Sequence, residues 1–347
     1  MPTILGIEST CDETAAAVVA DGHDVRSNVV ATQYELHAKY RGVVPEIASR
    51  AHIENILPVL NEALAQAGLP PGDFSAIDAV AVAHRPGLIG SLLIGVTAAK
   101  TLAWALGKPL IGVDHVHAHL YSVVLENNQT PPMPAVGLVC SGGHTALYRV
   151  GDWLDVELIG ATIDDAVGEA YDKVAALLGL GYPGGPILDR LAAEGNPKAV
   201  RFPRTLLGRD SLDFSFSGLK TAVLYHVRGV PRRGENIKSE PAPVLSHPQL
   251  ADIAAGFQAA CIDVIAEKLK RAVRKTSAQS VIIGGGVSAN HGLRAALAKF
   301  PVPVFFPPMR YCTDNAAMSA GLANVYHRAG RLSPLDLDAL PYSQFAR

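Results

Sequence analysis

The segment Ile4-Leu-Gly-Ile-Glu-Ser-Thr-Cys-Asp-Glu-Thr-Ala-Ala-Ala-Val-Val19 predicts two apolar strands joined by a polar turn over residues 8–14. The same plan returns in Ala135-Val-Gly-Leu-Val-Cys-Ser-Gly-Gly-His-Thr-Ala-Leu-Tyr-Arg-Val150, with its turn over residues 140–145. A hairpin of this kind opening each half of the chain predicts a duplicated α/β architecture, in which two related domains face each other across a cleft.

Strand and helix patterns alternate in both halves of the chain. Residues 46–67 have helical apolar spacing and Ala79-Val-Ala-Val-Ala83 reads as a buried strand; residues 258–274 and Ser280-Val-Ile-Ile283 repeat this order. Such alternation is typical of a mixed or parallel sheet covered by helices. Residues 228–243, rich in Pro, Arg, Gly and Glu, are predicted to form a flexible loop.

Composition limits the class of protein. With 347 residues, 49% of them hydrophobic and 18% charged, the chain can bury two substantial cores and is not a disordered protein. The four cysteines include no Cys-x-x-Cys pair, so we expect neither disulfides nor a zinc ribbon, and a reducing cytoplasm fits. We see no signal peptide pattern and no apolar stretch long enough to span a bilayer, so no membrane association is expected. A net charge of -2 argues against a globally basic nucleic-acid binder but allows a local basic patch.

Two histidines four residues apart indicate a metal site. In Ile111-Gly-Val-Asp-His-Val-His-Ala-His-Leu-Tyr121, a helix beginning after Val113 would place His115 and His119 on one face and turn His117 elsewhere. Asp314, in the distant motif Tyr311-Cys-Thr-Asp-Asn315, would complete a His/His/Asp triad with open coordination positions. The alternative is a His-rich helix start that is only polar surface or a capped turn; the glycine-rich context on both sides favours the metal site.

Three glycine-rich turns beside apolar strands predict a nucleotide site. Their backbones can approach a ligand closely, and their amides can hold phosphate. None is a Walker A loop or a Gly-x-Gly-x-x-Gly fingerprint, but open α/β sheets bind ligands at the carboxyl ends of their strands. The turns are Ser141-Gly-Gly-His-Thr145, Tyr182-Pro-Gly-Gly-Pro186 and Ile283-Gly-Gly-Gly-Val-Ser-Ala-Asn290.

Three acidic residues between these turns, Asp165, Glu169 and Asp172, would share one helical face. They would repel one another unless a cation or a hydroxyl-bearing ligand lay among them, so they are either part of a site or a solvated acidic face.

Long motifs in order along nearly the whole chain resemble the TsaD family, the bacterial tRNA threonylcarbamoyladenosine synthase subunits once regarded as glycoproteases. The motifs are Gly6-Ile-Glu-Ser-Thr-Cys-Asp-Glu-Thr14, Val44-Pro-Glu-Ile-Ala-Ser-Arg-Ala-His52, Pro86-Gly-Leu-Ile-Gly-Ser-Leu-Leu-Ile-Gly95, Ser141-Gly-Gly-His-Thr145, Gly168-Glu-Ala-Tyr-Asp-Lys173, Phe214-Ser-Phe-Ser-Gly-Leu-Lys-Thr221, Gly284-Gly-Gly-Val-Ser-Ala-Asn290 and Tyr311-Cys-Thr-Asp-Asn315. The resemblance implies an actin-like, sugar-kinase-like (ASKHA) fold. We expect an N-terminal domain over residues 1–125, completed by 325–347, and a C-terminal domain over 126–324.

The resemblance also implies a site. One divalent metal per subunit, usually Fe²⁺ in this family with Zn²⁺ or Mg²⁺ possible in vitro, would be held by His115, His119 and Asp314. Asp12 and Glu13 are the candidate charged groups nearest the reacting centre. The implied contacts of the substrate threonylcarbamoyl-AMP are Val139, Cys140, Ser141, Gly142, Gly143, Asp172, Gly185, Asp189 and Asn290.

The activity that the resemblance implies is transfer of a threonylcarbamoyl group from that adenylate to N6 of adenosine 37 in tRNAs reading codons that begin with A, with release of AMP. A TsaB-type paralogous subunit, a TsaE-type ATPase and tRNA are the implied partners. Two other readings are a zinc peptidase, which the chain disfavours by lacking His-Glu-x-x-His, and a sugar-kinase-type phosphotransferase or non-catalytic nucleotide-binding partner, which the fold alone permits. The His/His/Asp set disfavours the kinase, since kinases hold magnesium on carboxylates and phosphates.

Two positions depart from the family pattern. His117 stands where the family commonly has a glutamate between the two ligand histidines, and Arg85 stands where it has a glycine before Pro86. The first departure leaves both presumed ligands intact but puts a supporting role of that glutamate in doubt. The second adds bulk and charge at a turn that is usually flexible.

Two clusters of basic residues are candidates for contact with tRNA. We expect the first to bind phosphates from the predicted loop, and the second only to solvate a helix end and complement its dipole. The first comprises Arg228, Arg232, Arg233 and Lys238; the second comprises Lys268, Lys270, Arg271, Arg274 and Lys275.

Overall fold

The computed structural model describes residues 1–40, 42–70, 72–127, 129–230 and 244–343. Its first half contains a five-stranded sheet in the order β3-β2-β1-β4-β5. The strands are β1 (Thr3–Glu8), β2 (Glu13–Ala20), β3 (Asp24–Thr32), β4 (Ala79–Arg85) and β5 (Leu110–Asp114). Central β1 runs antiparallel to β2 and parallel to β4, so that Leu5 lies opposite both Val18 and Val80.

The second sheet repeats this plan. Its strands are β6 (Ala135–Cys140), β7 (Thr145–Asp152), β8 (Asp155–Ala161), β9 (Ser280–Gly284) and β10 (Val304–Phe305). The order β10-β9-β6-β7-β8 is that of the first sheet read from its other edge, and central β6 is antiparallel to β7 and parallel to β9. The predicted hairpins and the duplicated α/β plan are therefore confirmed.

Within the described residues, helices cover both sheets and enclose three apolar cores. They are α1 (Tyr34–Ala38), α2 (Pro45–Gln66), α3 (Ile89–Leu106), α4 (His115–Tyr121), α5 (Val167–Leu177), α6 (Gly184–Ala192), α7 (Ser217–Arg228), α8 (His247–Thr276), α9 (His291–Leu297) and α10 (Ala316–Arg328). One core lies between the first sheet and α2 and α3, and another between the second sheet and α5 to α8. The central core joins the facing sides of the two sheets through α4 and α10.

Burial on both faces explains the strand sequences. All eight residues of β2 are buried, because α2 packs on one side of the first sheet and α10 on the other. Such strands read as continuous apolar runs rather than as alternating patterns. The short helix α4 is also buried along its whole length. Buried polar side chains need partners, so the three histidines of this helix require an explanation.

Helix α10 returns the chain to the first sheet, where it packs against β1 and β2. It begins at Ala316, ahead of residue 325, where the predicted completion of the N-terminal domain starts. The division into residues 1–125 with 325–347 and residues 126–324 stays a prediction.

Two sequence-based expectations need correction. Helices α3 and α8 have the length and composition of a membrane span, so the expectation that no stretch is long enough is wrong. This is weak evidence for a membrane, because buried helices of soluble proteins pass the same test, and 61% of the apolar window of α8 is buried. Lys268 does not solvate the end of α8. It is buried, and its Nζ donates to the carbonyl oxygens of Leu206 and Ser211, each at 2.7 Å.

The predicted flexible loop lies almost wholly outside the described residues. Arg228 is the last residue of α7, whereas Arg232, Arg233 and Lys238 fall in the range 231–243, which the structure does not describe. Their contact with tRNA stays a prediction.

Candidate metal centre and ligand cleft

Helix α4 begins directly after β5, and Asp114 is its N-cap. Asp114 Oδ1 accepts hydrogen bonds from the amides of Val116 (3.0 Å) and His117 (3.3 Å), which fixes the first turn of the helix. With this register, His115 and His119 lie on one face of the helix. Their ring centroids are 4.6 Å apart and their planes are nearly perpendicular, in an edge-to-face contact. The predicted helix and the predicted pairing of the two histidines are confirmed.

Asp314 reaches the histidine pair from a distant part of the chain, just before Asn315 caps α10. Its Oδ1 lies 3.1 Å from His119 Nε2 and 3.5 Å from His115 Nε2. One ligand atom from each of the three residues falls within 4.8 Å of the others. The three residues that sequence reasoning proposed as metal ligands therefore converge.

The geometry of this triad fits a divalent metal ion. Ligand bonds of about 2.0–2.2 Å place neighbouring ligand atoms roughly 3 to 3.5 Å apart, the range of the two distances to Asp314 Oδ1. Two imidazoles and one carboxylate favour a transition metal over magnesium, which prefers oxygen ligands alone. Three protein ligands leave coordination positions open for a substrate.

The charges of the triad are interdependent. Burial lowers the pKa of His115, but the negative charges of Glu8 and Asp314 outweigh burial and raise it to about 9. Burial by itself would raise the pKa of Asp314, yet His115 and His119 hold it well below its usual range. Burial and the charge of His115 lower the pKa of His119. A metal ion binding here would replace the proton on His115, so binding would release that proton.

His117 lies on the other side of α4, as predicted. Its Nδ1 is 3.1 Å from the Tyr326 hydroxyl, and burial lowers its pKa to about 3, so the imidazole is neutral. His117, Asp114 and Arg85 line a cavity of about 230 Å³ behind the helix. Arg85 Nε lies 3.8 Å from Asp114 Oδ2 in this cavity. The two departures from the family pattern are therefore neighbours, on the face of α4 away from the metal triad.

Asp12 lies in the turn between β1 and β2, Glu13 is the first residue of β2, and both are buried. Burial, together with the charges of Asp314 and Asp12, raises the pKa of Glu13 well above its usual range. Tyr34 hydrogen-bonds to Glu13, and the pKa of Tyr34 is raised by burial and by the charge of Glu13. The charge of Asp314 acts on Glu13, so this segment lies near the metal triad; the catalytic roles of Asp12 and Glu13 stay a prediction.

The first glycine-rich turn follows β6. The Ser141 amide donates to the His144 carbonyl (2.8 Å), and the His144 amide donates to Ser141 Oγ (3.1 Å). A Cβ built on Gly142 or Gly143 meets no described atom within 4 Å, so both glycines border open space. Burial and the charges of His115 and His119 lower the pKa of His144 to about 4, which places this turn beside the metal triad.

A second glycine-rich segment packs the end of β9 against α4, the metal helix that carries His115 and His119. A Cβ on Gly284 would lie 2.4 Å from the His119 carbonyl oxygen, and one on Gly285 would lie 2.5 Å from that of Cys140. Gly285 also has a φ of +86°, which side chains rarely adopt. Only glycine lets the carboxyl end of β9 lie this close to both β6 and α4. Val139 and Cys140, at the end of β6, lie beside Gly284. Val139 pairs with Gly284, and the Cys140 thiol lies 3.6 Å from the Gly284 carbonyl.

The remaining predicted substrate contacts form two groups. Asp172 Oδ1 accepts from the Gly184 amide (2.7 Å); burial raises its pKa, while the amides of Gly184 and Gly185 lower it. A Cβ on Gly185 meets no described atom within 4 Å. Gln258, which sequence reasoning missed, connects the other group: it donates to Asp189 Oδ1 (3.1 Å) and accepts from Asn290 Nδ2 (2.8 Å).

The three acidic residues predicted to share a helical face do not act as one group. Asp165 precedes α5, and Lys173 Nζ lies 2.7 Å from Asp165 and 2.8 Å from Glu169. The cation that relieves their repulsion is thus a lysine of the chain itself. Asp172 instead binds the turn before α6.

The chain is similar in sequence to a family of known proteins. A model of the TsaD family, described as tRNA N6-adenosine threonylcarbamoyltransferase, matches residues 24–321. A tRNA N6-adenosine threonylcarbamoyltransferase of Moorella thermoacetica is 51% identical over 342 residues, covering 97% of this chain and 96% of the relative. The protein of that name from Thermomicrobium roseum is 50% identical over 349 residues, covering 96% of this chain and 94% of the relative.

Two solved structures share the fold at low identity. HypF from T. kodakarensis has a TM-score of 0.61 at 17% identity, covering 94% of this chain and 48% of its own. Component A of the Acidaminococcus fermentans (R)-2-hydroxyglutaryl-CoA dehydratase has a TM-score of 0.53 at 14% identity, covering 95% of this chain and 100% of its own. These likenesses show the predicted actin-like fold and nothing of the activity. The sequence relatives show more: the chain belongs to the TsaD family of tRNA N6-adenosine threonylcarbamoyltransferases.

Proposed function

We propose that this protein transfers a threonylcarbamoyl group from threonylcarbamoyl-AMP to the N6 amine of adenosine 37 in tRNAs that read codons beginning with A, with AMP as the leaving group. The observation that carries the proposal is the junction at Gly284, where the end of β9 lies against the backbone of His119. This junction supports the proposal because it brings the turns proposed to hold an adenylate beside the residues proposed to hold a metal.

The substrate would lie along the carboxyl ends of the strands of the second sheet. Its phosphate and acyl group would follow the open turn at Gly142 and Gly143, whose Cα atoms border free space. Asp189 and Asn290, joined through Gln258, would hold the nucleoside. Asp172 holds the turn that presents Gly185 to the same ligand. Val139, Cys140 and Ser141 complete the proposed contacts along the end of β6.

The reaction forms a bond between adenosine N6 and the carbamoyl carbon and breaks the bond from that carbon to the phosphate oxygen of AMP. The amine loses one proton. An exocyclic adenine amine is a weak nucleophile, so the chain must orient it and stabilise the charge that develops at the carbonyl and phosphate. We assign acceptance of the proton to the Asp12 carboxylate. We assign to Glu13, whose pKa burial raises well above its usual range, the role of a hydrogen-bond donor.

The metal ligands in this proposal are His115, His119 and Asp314, and Fe²⁺ is the ion we propose. When bound, the ion would supply a Lewis acid that binds phosphate or threonyl oxygens. The two imidazoles favour Fe²⁺ or Zn²⁺ over Mg²⁺.

We further propose that the protein works in the cytoplasm with a TsaB-type paralogous subunit and a TsaE-type ATPase. Exposed apolar side chains on the adjacent helices α2 and α3 support a protein partner, since exposed apolar surface is typical of interaction sites. These side chains are Ile53, Leu57, Ile89, Leu93 and Trp104, which are 44–73% exposed. Replacing Leu57 and Leu93 with aspartate should abolish co-elution with the TsaB-type subunit. Binding of the unaltered chain to lipid vesicles would instead assign these side chains to a membrane.

The activity is tested with purified components under anaerobic conditions. The chain, its two partners, threonylcarbamoyl-AMP and an unmodified tRNA are incubated, and the digested nucleosides are quantified by mass spectrometry. We expect threonylcarbamoyladenosine with the native chain and with His117→Ala, and a loss of at least 100-fold with Asp314→Ala. A phosphorylated product without the modified nucleoside would instead indicate a phosphotransferase.

A further inference from the structure

The buried carboxylate of Glu8 faces the metal helix from the end of β1. We infer that Glu8 is a positioning residue, which holds His115 in the tautomer and ring orientation that present Nε2 to a metal ion. This inference rests on the proposed metal centre, but it concerns a residue that would not touch the ion.

Three different parts of the chain bind the Glu8 carboxylate. Its Oε1 accepts from the Thr10 amide at 2.9 Å, and its Oε2 accepts from the Ser319 hydroxyl on α10 at 3.3 Å. The third partner is His115 Nδ1, 3.2 Å from Oε2. The carboxylate is therefore fixed by its own turn and by α10, and it is not free to follow a rotating imidazole.

The contacts of His115 determine which of its ring nitrogens carries hydrogen. A carboxylate oxygen accepts hydrogen bonds, so Nδ1 donates to Glu8. The Thr10 hydroxyl, 3.3 Å from Nδ1, can also accept. Hydrogen on Nδ1 leaves the lone pair of the neutral ring on Nε2, which lies 3.5 Å from Asp314 Oδ1, on the side of the metal triad. The geometry is that of a carboxylate-histidine-metal arrangement, in which the outer carboxylate orients the ligand and increases its basicity.

The other ligand histidine lacks this support. Among the described residues, His119 Nδ1 is buried without a hydrogen-bond partner. The two imidazoles are therefore unequal, and one outer carboxylate orients the site. Loss of such a partner costs 10- to 100-fold in metal affinity in related sites, and we expect a loss of that size here.

Metal affinity, measured without the reaction, tests this inference. Zn²⁺ and, anaerobically, Fe²⁺ are titrated into the full-length metal-free chain in competition with a chromophoric chelator. Glu8→Gln keeps the volume of the side chain but can offer an NH₂ group to Nδ1. We expect it to weaken metal binding 10- to 100-fold. Ser319→Ala removes the other contact of the same oxygen and leaves His115 untouched, so we expect a change of less than threefold.

Two further measurements separate positioning from folding. The urea midpoint of each metal-free variant reports stability. If Glu8→Gln proves less stable than Ser319→Ala, a third variant separates the two effects. Glu8→Asp keeps the negative charge but withdraws it from Nδ1, and we expect it to weaken metal binding as well. In the zinc-loaded chain, nitrogen NMR should find hydrogen on Nδ1 of His115. Unchanged affinity in both Glu8 variants, or hydrogen on Nε2, would overturn the inference.

The outcomes also distinguish this inference from the proposed function. Full tRNA modification by the native chain with unchanged metal affinity in Glu8→Gln would remove the inference and leave the function standing. Weakened metal binding in Glu8→Gln, with no tRNA modified by the native chain and its partners, would support the role of Glu8 and contradict the proposed function.

Discussion

Replacing Gly284 with alanine tests whether the adenylate turns and the metal helix share one rigid junction. The new Cβ would lie 2.4 Å from the His119 carbonyl oxygen and 2.7 Å from its carbonyl carbon. Ordinary contacts begin near 3.4 Å, so the end of β9 and helix α4 must separate by about 1 Å. Both partners are backbone atoms, and no flexible side chain can give way. Overpacking of this kind costs about 1–3 kcal/mol.

A matched control lies in the other turn. Gly143→Ala adds the same methyl group, but that Cβ meets no described atom within 4 Å, so its effect on stability should stay within about 0.5 kcal/mol. We expect Gly284→Ala to lower the urea midpoint and to weaken zinc binding, because it displaces His119. Gly143→Ala, and more strongly Gly143→Leu, should instead weaken binding of a non-hydrolysable adenylate analogue, measured by calorimetry. If Gly284→Ala and the native chain have equal zinc affinity and stability, the end of β9 and α4 do not form a rigid junction.

Three further sets of variants test the metal ligands, the cap on α4 and the basic residues of the predicted loop. Alanine at any of the three metal ligands should remove most bound metal, measured by elemental analysis, whereas His117→Ala should retain it; equal loss from His117→Ala would show that the register of α4 is wrong. Asp114→Ala should destabilise the metal-free chain by about 1 kcal/mol through loss of the cap on α4, and Asp114→Asn, which can still cap, should unfold at nearly the native urea concentration. Neutralising Arg228, Arg232 and Arg233 together should weaken tRNA binding and leave adenylate binding unchanged. The slope of the logarithm of the tRNA binding constant against the logarithm of salt concentration should fall by up to about one unit per lost phosphate contact. A native slope would place the tRNA elsewhere.

Local pattern was sufficient to predict the elements that carry the site. The strands of both hairpins are apolar runs because helices cover both faces of each sheet. The pairing of His115 and His119 followed from helical spacing. The structure adds that Asp114, directly before them, caps this helix. Asp314 was proposed as the third ligand from the sequence, but only the fold shows that it converges, because no local pattern connects it to a helix 195 residues earlier.

What the sequence did not reveal depends on contacts between distant segments. Glu8 reads as part of a polar turn, and its partner His115 lies 107 residues away. Gln258 is one polar residue within the apolar face of a long helix, and only the fold shows that it joins Asp189 to Asn290. Lys268 belongs to a run of basic residues that reads as solvated surface, although carbonyl groups from another segment surround its ammonium. A signal for Gln258 was present in principle, since a polar residue on a buried face needs a hydrogen-bond partner.

In the proposed mechanism, the metal triad and the adenylate site act together in transfer of the threonylcarbamoyl group to tRNA. The most direct measurement is a single-turnover assay with threonylcarbamoyl-AMP labelled in its carbamoyl carbon, tRNA, both partner proteins and the iron-loaded chain. The proposed mechanism predicts that label enters adenosine 37 as one AMP is released per group transferred, and that Asp314→Ala abolishes both. AMP release with the label left in solution, or transfer at the native rate by Asp314→Ala, would contradict it.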